Sequence, residues 1–298
     1  VSITVRVSDV SDKSWHSRGK QKSKRGGIWY TPQSGIWQTV WMEAVPECYV
    51  KSLRIEPDFD NALVNISAEV MGDKEAYAVF NGESYLLPAA IPVPDFEPWS
   101  PEYPKLYGFQ VSCGDDLVQS YFAMRKFSVE KDEQGIMRLF LNNKPYFHNG
   151  LLDQGYWPDG IFTPATPECF ADDILMMKKL GFNTLRKHIK VEMEEFYYQC
   201  DKLGMIVWQD MVNNSDYNFK RDTVLPTAGI QKLDDRKWHR QSGHRESFLR
   251  TAEAVVNQLK NHPSICLWTI FNEGWGQFDS DNVYTWFRTL DDTRFIDS

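Results

Sequence analysis

The residues best placed to do chemistry sit where apolar runs stop. One such run, residues 265–271, is rich in β-branched and aromatic side chains and ends abruptly in Asn272-Glu273, followed by Gly274-Trp275-Gly276-Gln277. Just before it, Asn261-His262-Pro263 closes a helical pattern, because proline removes an amide donor and clashes with the preceding turn. A continuous apolar run of this length reads as a strand buried on both faces, as in a parallel sheet. A carboxylate at the C-terminal tip of such a strand, beside an amide and under aromatic rings, suits general acid–base chemistry on a sugar. The structural alternative is that Glu273 caps the next helix or pairs with a lysine.

Other strand ends add candidates: Asp153 after a run near residues 146–152, Arg186 and His188 at the end of residues 183–188, and Asp210 at the end of residues 205–210. Glycoside hydrolysis uses two carboxylates, one of them a general acid, and Glu273 is the candidate acid. Asn272 is a candidate hydrogen-bond partner for a sugar hydroxyl. Arg186 holds a substrate carboxylate or forms an ion pair with Asp210, and the sequence leaves both readings open. His188 is as compatible with a hydrogen-bonded structural role, and Asp210 either contacts sugar or supports the site. Trp157, Trp208, Trp268 and Trp275 offer stacking faces, although Trp208 and Trp268 fall inside strands, where core packing is the plainer reading. No Ser/His/Asp order, glycine-rich phosphate loop or metal-ligand cluster stands out, so neither a metal nor a cofactor is expected.

The elements that position these residues alternate between strand and helix from about Lys131 onward. Residues 139–146 predict a hairpin turning at Asn142-Asn143. Thr166-Pro167 opens a helix that places Phe170, Ile174, Met177 and Leu180 on one face and closes at Gly181. Residues 192–203 predict a second helix ending at Gly204, and residues 246–260 a third. Lys179-Leu180-Gly181-Phe182 is echoed by Lys202-Leu203-Gly204-Met205, the mark of consecutive right-handed βα units. Four strands result, and residues 294–297 start a fifth. A (β/α)₈ barrel takes ~250 residues, so residues 131–298 predict the first half of such a barrel, with a doubly wound sheet as the alternative.

Upstream, residues 45–130 carry strand runs at 49–55, 62–71, 75–80 and 106–112, separated by Pro57-Asp58, Gly72-Asp73, Asn81-Gly82 and Cys113-Gly114 turns. They predict an immunoglobulin-like β-sandwich, with the proline-rich stretch 88–104 as an extended excursion. Residues 1–44 show strand patterns at 2–7 and 39–43 around a basic stretch, Lys13 to Arg25, which reads as a solvated loop with an anion site as its alternative. Forty-odd residues cannot bury a core alone, so this segment predicts the tail of a larger sandwich.

A formal net charge of −8 argues against nucleic acid as a partner, and no run of 18 apolar residues predicts a membrane span. The five cysteines are odd in number and follow no metal or redox spacing. Aromatic residues make up 14% of the chain, with 11 Trp, a composition that fits either sugar stacking or β-sandwich cores. The first residue is not Met, so compartment is left open between cytoplasmic and secreted.

Several motifs in order resemble the family 2 glycoside hydrolases, the β-galactosidase, β-glucuronidase and β-mannosidase group. Residues 34–41, Ser-Gly-Ile-Trp-Gln-Thr-Val-Trp, are similar to the last strands of that family's N-terminal sugar-binding jelly roll. Residues 98–107, Pro-Trp-Ser-Pro-Glu-Tyr-Pro-Lys-Leu-Tyr, resemble its immunoglobulin-domain motif, Leu141-Asn142-Asn143-Lys144-Pro145 the start of its barrel, and Phe271-Asn272-Glu273-Gly274 its acid/base motif. The resemblance implies a jelly-roll tail over 1–44, the sandwich over 45–130, and the first half of a TIM barrel over 131–298. It implies a retaining exo-β-glycosidase, β-galactosidase-like by default, in which Glu273 is the acid/base and Asn272 binds the sugar 2-hydroxyl. The substrate is then a carbohydrate, and Asp153, Arg186, His188, Asp210 and Trp275 are substrate-side candidates. The nucleophilic Glu, on strand 7 in the family, falls beyond Ser298, so this piece alone is expected to be inactive and its open sheet edge to be covered by self-association as a homo-oligomer. Where many members have Arg-x-Ser-His, this chain has Arg186-Lys187-His188, with the histidine one place closer. The alternatives are a non-catalytic carbohydrate-binding scaffold, or a β-glucuronidase or β-mannosidase.

Overall fold

The structure, a computed structural model, describes residues 2–13, 16–213, 218–220, 224–230, 234–237 and 243–298. Ser14 and Trp15 of the basic stretch lie outside the described residues.

Seven antiparallel strands form a two-sheet sandwich. β1 (Tyr49–Asp58), β2 (Leu63–Met71) and β5 (Ala89–Pro92) make one sheet in the order β1-β2-β5, and β3 (Ala76–Phe80), β4 (Glu83–Leu86), β6 (Tyr107–Cys113) and β7 (Asp116–Phe122) make the other in the order β4-β3-β6-β7. Alternation along the strands turns one set of side chains inward. Ile55, Val64, Ile66 and Ile91 from the first sheet meet Ala78, Phe80, Phe109 and Val111 from the second in one core. β5 lies at the start of the proline-rich stretch expected as an extended excursion. It pairs through Leu63–Ile66 of β2, which is possible because it lies at the sheet edge, where Pro92 need not donate to a ladder.

A second antiparallel unit follows, β8 (Phe127–Lys131), β9 (Met137–Leu141) and β10 (Lys144–Pro145). The Asn142-Asn143 turn has φ of 54° and 63°, the left-handed pair that a two-residue hairpin turn requires and that Asn tolerates.

The C-terminal half is a parallel sheet of β11 (Gly150–Asp153), β12 (Thr184–Lys187), β13 (Ile206–Asp210), β14 (Ile265–Thr269) and β15 (Phe295–Asp297), hydrogen-bonded in sequence order. Helices α1 (Glu168–Lys179), α2 (Glu194–Leu203), α3 (His244–Leu259) and α4 (Ser280–Leu290) cross between successive strands. A doubly wound sheet reverses its strand order at a switch point. This order never reverses, so the sheet is wound in one direction, as in a barrel, and five strands of it are present. Phe170 and Ile174 of α1, Phe196 and Cys200 of α2, and Val256 and Leu259 of α3 pack against Leu185, Val207 and Ile265 in one core. Leu180, expected on the buried face of α1, is 63% exposed, because it caps the helix after its last turn.

Residues 2–44 depart from expectation. The alternating segments near residues 2–7 and 39–43 form no strands, and the segment holds only isolated bridges, Gln21–Tyr30 and Gly26–Trp29. A strand needs a hydrogen-bonded neighbour and a face to bury, and neither is present: Val5, Val40 and Met42 are 63%, 72% and 87% exposed.

The sandwich joins the barrel half through Asp201 of α2. Its carbonyl accepts from Trp99 Nε1 at 2.8 Å, and its carboxylate accepts from Tyr121 Oη at 2.7 Å and from the Ser264 amide at 2.8 Å, with His262 Nδ1 at 2.6 Å. Trp99, fully buried, comes from the proline-rich stretch. Gly204, at φ 76°, caps α2 so close to that stretch that an added Cβ would lie 2.5 Å from the Pro101 carbonyl oxygen.

At the start of the sheet, Trp208 Nε1 donates to His148 Nδ1 at 2.9 Å, and burial lowers the His148 imidazole from 6.5 to about 4. A histidine depressed in the folded state contributes stability that is complete above its unfolded pKa and is lost as pH falls toward the folded one. The window is pH 6.5 down to about 4, and the loss is expected to reach about 2–3 kcal/mol. Urea midpoints at pH 7 and pH 4.5 should therefore differ more for the native chain than for His148→Gln; equal shifts in both would show that His148 is not the group responsible.

Candidate active site

The site forms at the C-terminal tips of β12, β13 and β14, and strand parity decides which side chains enter it. In a strand, residues two apart share a face and register neighbours on parallel strands share it too. Arg186 pairs with Trp208, Lys187 with Gln209, and Asp210 with Thr269. Arg186, His188 and Asp210 therefore lie on one face, and Lys187 and Gln209 on the other, where Lys187 packs on the ring of Phe196 in α2.

On the first face the candidates form one network. Arg186 Nε donates to Asp210 Oδ1 at 2.8 Å, and Arg186 Nη2 donates to Asn272 Oδ1 at 2.8 Å. His188 Nδ1 lies 2.8 Å from Asp210 Oδ2. Asp210 is fully buried, so both of its oxygens are committed to cationic or imidazole partners and it acts as the clamp that fixes Arg186 and His188. Arg186 in turn fixes the Asn272 amide. With Oδ1 occupied by the guanidinium, Asn272 has its Nδ2 donors left for a ligand oxygen. When His188 donates through Nδ1 to Asp210, its Nε2 is left as an acceptor.

Glu273 follows Asn272 in the left-handed region, φ 54° and ψ 24°. An L-residue there costs on the order of 1–2 kcal/mol. The turn swings the Glu273 side chain off the line of β14 and leaves it exposed, and it forms no hydrogen bond or salt bridge among the described residues. Trp275 is 4% exposed and meets Trp29 edge to face at 5.4 Å between ring centres. It is a wall of the site rather than an open stacking platform. Trp268 is fully buried, with Nε1 on Asp291 at 2.9 Å.

Asp153 does not join this network. It shares a register row with Lys187, and the two pair at 2.7 Å on the helix-facing side. There Lys187 also meets Glu192 at 3.1 Å, and Lys190 meets Glu192 at 2.7 Å. Burial lowers Lys190 to about 8 in spite of Glu192.

The motif reading did not reveal what the N-terminal segment brings to the site. The Arg18 amide donates to the Asn213 carbonyl at 3.2 Å, and Gln38 Nε2 donates to the carbonyls of Val191 and Glu192, each at 3.2 Å. Lys190 Nζ lies 5.2 Å from the Trp37 ring centre, and Tyr30 stacks on Tyr156 at 3.7 Å. These contacts draw residues 18–38 over the strand tips. Trp29, Tyr30 and Trp37 were the available signal, but the sequence does not say which element they rest on.

The cavity of about 960 Å³ lined by the hairpin residues, His148 and Trp208 contains none of the strand-tip candidates. Among the described residues no group of three or more His, Cys, Asp or Glu is placed to hold a metal ion, no helix is long and apolar enough to cross a membrane, and all five cysteines are free thiols.

Residues 138–298, more than half of the chain, match the description "Glycosyl hydrolases family 2, TIM barrel domain". The chain is 25% identical to a β-galactosidase of Leuconostoc mesenteroides subsp. mesenteroides, over 88% of this chain and 27% of that protein. It is 23% identical to a β-galactosidase of Pseudoalteromonas haloplanktis, over 88% and 27%. The chain thus spans about a quarter of the length of these curated relatives. Among solved structures it superposes on a β-D-glucuronidase of Dictyoglomus thermophilum with a TM-score of 0.68, at 20% identity, covering 84% of this chain and 44% of that one. A β-galacturonidase of Eisenbergiella tayi matches with a TM-score of 0.66, at 19% identity, covering 84% and 46%.

Proposed function

Because the chain belongs to glycosyl hydrolase family 2, we propose that it carries the acid/base half of a retaining exo-β-glycosidase acting on terminal β-linked sugars, with β-galactosides as the default substrate. In this reading residues 1–44 belong to a jelly-roll sugar-binding domain, 45–130 form an immunoglobulin-like sandwich, and 131–298 are the first half of the catalytic barrel. The observation that carries the proposal is the fixed Asn272 amide beside the unpaired Glu273 carboxylate.

Glu273 protonates the glycosidic oxygen as the bond to the anomeric carbon breaks, and then takes a proton from the water that completes the reaction. Asn272 Nδ2 donates to the sugar 2-hydroxyl, held in that orientation by Arg186, which Asp210 holds in turn. The first displacement needs a second carboxylate, ~5–5.5 Å from the first. The described carboxylates around the site are already engaged: Asp210 by Arg186 and His188, Asp153 by Lys187, and Asp235 by Gln277 and Ser280.

The test has two parts. Methyl β-D-galactoside should bind the 298-residue chain in ligand-observed NMR, and Asn272→Ala should remove that binding; binding indifferent to Asn272→Ala would sink the assignment of the site. Nitrophenyl β-glycosides should be hydrolysed no faster than in buffer. A rate that disappears on Glu273→Gln would show instead that these residues complete the catalytic pair.

A further inference from the structure

Gln209 sits on the face of β13 turned away from the site, in register with Lys187, and is fully buried. It can touch no substrate there, yet both polar atoms of its carboxamide are engaged. Its Nε2 donates to the Asp210 carbonyl at 2.8 Å and to the Lys190 carbonyl at 2.9 Å, and its Oε1 accepts from Tyr197 Oη at 2.6 Å. Tyr197, fully buried in α2, accepts in turn from the Glu192 amide at 3.1 Å. With that amide proton aimed at its oxygen, the hydroxyl gives its own proton to Oε1, and both Nε2 hydrogens are left for the two carbonyls. Burial pushes the Tyr197 phenol well above its usual range, so the hydroxyl keeps the proton it donates.

The two carbonyls lie where pairing between β12 and β13 stops. That ladder ends with Lys187 and Gln209. Beyond it the His188 amide still donates to the Asp153 carbonyl of β11 at 2.8 Å, and Ile189 takes φ 52°. A β-branched residue rarely adopts positive φ, so the surrounding structure has to hold this turn. Gly19 closes on it, so near that an added Cβ would lie 2.6 Å from the Ile189 carbonyl oxygen. Gln209 supplies the next residue, Lys190, with the hydrogen bond that a further rung of the ladder would have given. One carboxamide thus ties the turn that follows His188 to the tip of β13 that carries Asp210. On the opposite face those two residues meet at 2.8 Å, Asp210 holds Arg186, and Arg186 holds Asn272.

We propose that Gln209 is a positioning residue of the site: its carboxamide, oriented by Tyr197, holds His188 and Asp210 together from the far face of the sheet, and through Asp210 it sets Arg186 and the Asn272 amide that meets the sugar. This rests on the glycosidase reading of the site and adds to it two residues that touch no substrate. Gln209→Met keeps the length of the side chain but cannot donate, so both carbonyls lose their partner. Tyr197→Phe removes only the hydroxyl that fixes which way the carboxamide points.

The experiment reads the site with and without ligand on the 298-residue chain. Exchange of the Arg186 Nε–H with water, followed by NMR, reports the hold of Asp210, and titration with methyl β-D-galactoside reports the Asn272 amide. Gln209→Met should speed that exchange and weaken sugar binding, each by about ten-fold, in a chain still folded by circular dichroism. Tyr197→Phe should move both readouts in the same direction and, in the double variant, add nothing to Gln209→Met; should Gln209→Met not fold, Tyr197→Phe alone decides on the same two readouts. Val256→Ala, a cavity in the same core, should lower the unfolding midpoint and leave both readouts within about two-fold of native. Native exchange and affinity in Gln209→Met overturn the role of Gln209, as does an equal loss in Val256→Ala, and losses that multiply in the double variant overturn the relay from Tyr197. If the native chain binds no sugar, the glycosidase reading falls, and the Arg186 exchange still decides whether Gln209 positions Asp210.

Discussion

Asp210→Ala is expected to destabilise the barrel half by about 3–5 kcal/mol, the usual cost of breaking a buried charge network by removing one partner, and to abolish glycoside binding in the same step. Asp210 is fully buried and holds Arg186 and His188 at 2.8 Å each. Its loss strands a guanidinium whose remaining acceptor is Asn272, so the Asn272 amide loses its fixed orientation as well. The two effects separate in a double variant. Arg186→Met with Asp210→Leu replaces the pair by apolar groups of similar volume, which is often close to neutral for stability. The double variant should therefore regain most of the denaturation midpoint lost in Asp210→Ala, yet still fail to bind sugar. If it regains binding too, the network supports the fold and not the site. If Asp210→Ala costs less than about 1 kcal/mol, within the range of an exposed pair, the burial argument is wrong.

Gly204→Ala is expected to cost about 3 kcal/mol and to loosen the sandwich from the barrel half. Two effects add: an L-residue forced to positive φ, and a Cβ 2.5 Å from the Pro101 carbonyl oxygen, a clash of overpacking type. Lys178 Nζ donates to both the Pro101 and Gly204 carbonyls, so the displaced loop also disturbs that bridge, and Trp99 lies two residues from Pro101. Gly181, the matching residue in the other Lys-Leu-Gly motif, is an internal control. It has φ 92° with nothing within 4 Å of its Cβ position, so Gly181→Ala should cost only about 1 kcal/mol from the backbone. Calorimetry on both variants distinguishes them, and equal losses would show that the contact with Pro101 does not constrain the joint.

Much of the barrel half was legible because its signals are local. Apolar runs bounded by Gly and Pro place β12, β13 and β14 within a residue or two of their observed limits, and the paired Lys-Leu-Gly motifs mark where helices return to strands. The sandwich was half legible: β1, β2, β3 and β6 carry apolar alternation, whereas β4, β5 and β8 are short or mixed and are strands because of the neighbours they pair with. Residues 2–44 misled for the converse reason, since alternation without a partner makes no strand. At the site, the motif reading found Asn272 and Glu273. It left Asp153 among the substrate-side candidates because motif order is blind to parity; the register row with Lys187 turns it to the helix side. The seat of the basic stretch was beyond reach, since nothing local reveals that Arg18 and Gly19 rest on Asn213 and Ile189, far along the chain.

The strand order β11-β12-β13-β14-β15 also bears on how the molecule is made. Each strand's first partner is the one synthesised just before it, so every βα unit added can dock on an edge that already exists, and the sheet can grow as the chain emerges. The joint with the sandwich cannot. Trp99 waits for Asp201, 102 positions later, and the Ile55 amide for the Asn261 side chain, 206 positions later. Closing loops of that length brings an entropy cost that must be met before the contacts form. The sandwich and the growing sheet can each form from contacts near in sequence, whereas the joint at Asp201 closes only once both of its sides have been synthesised.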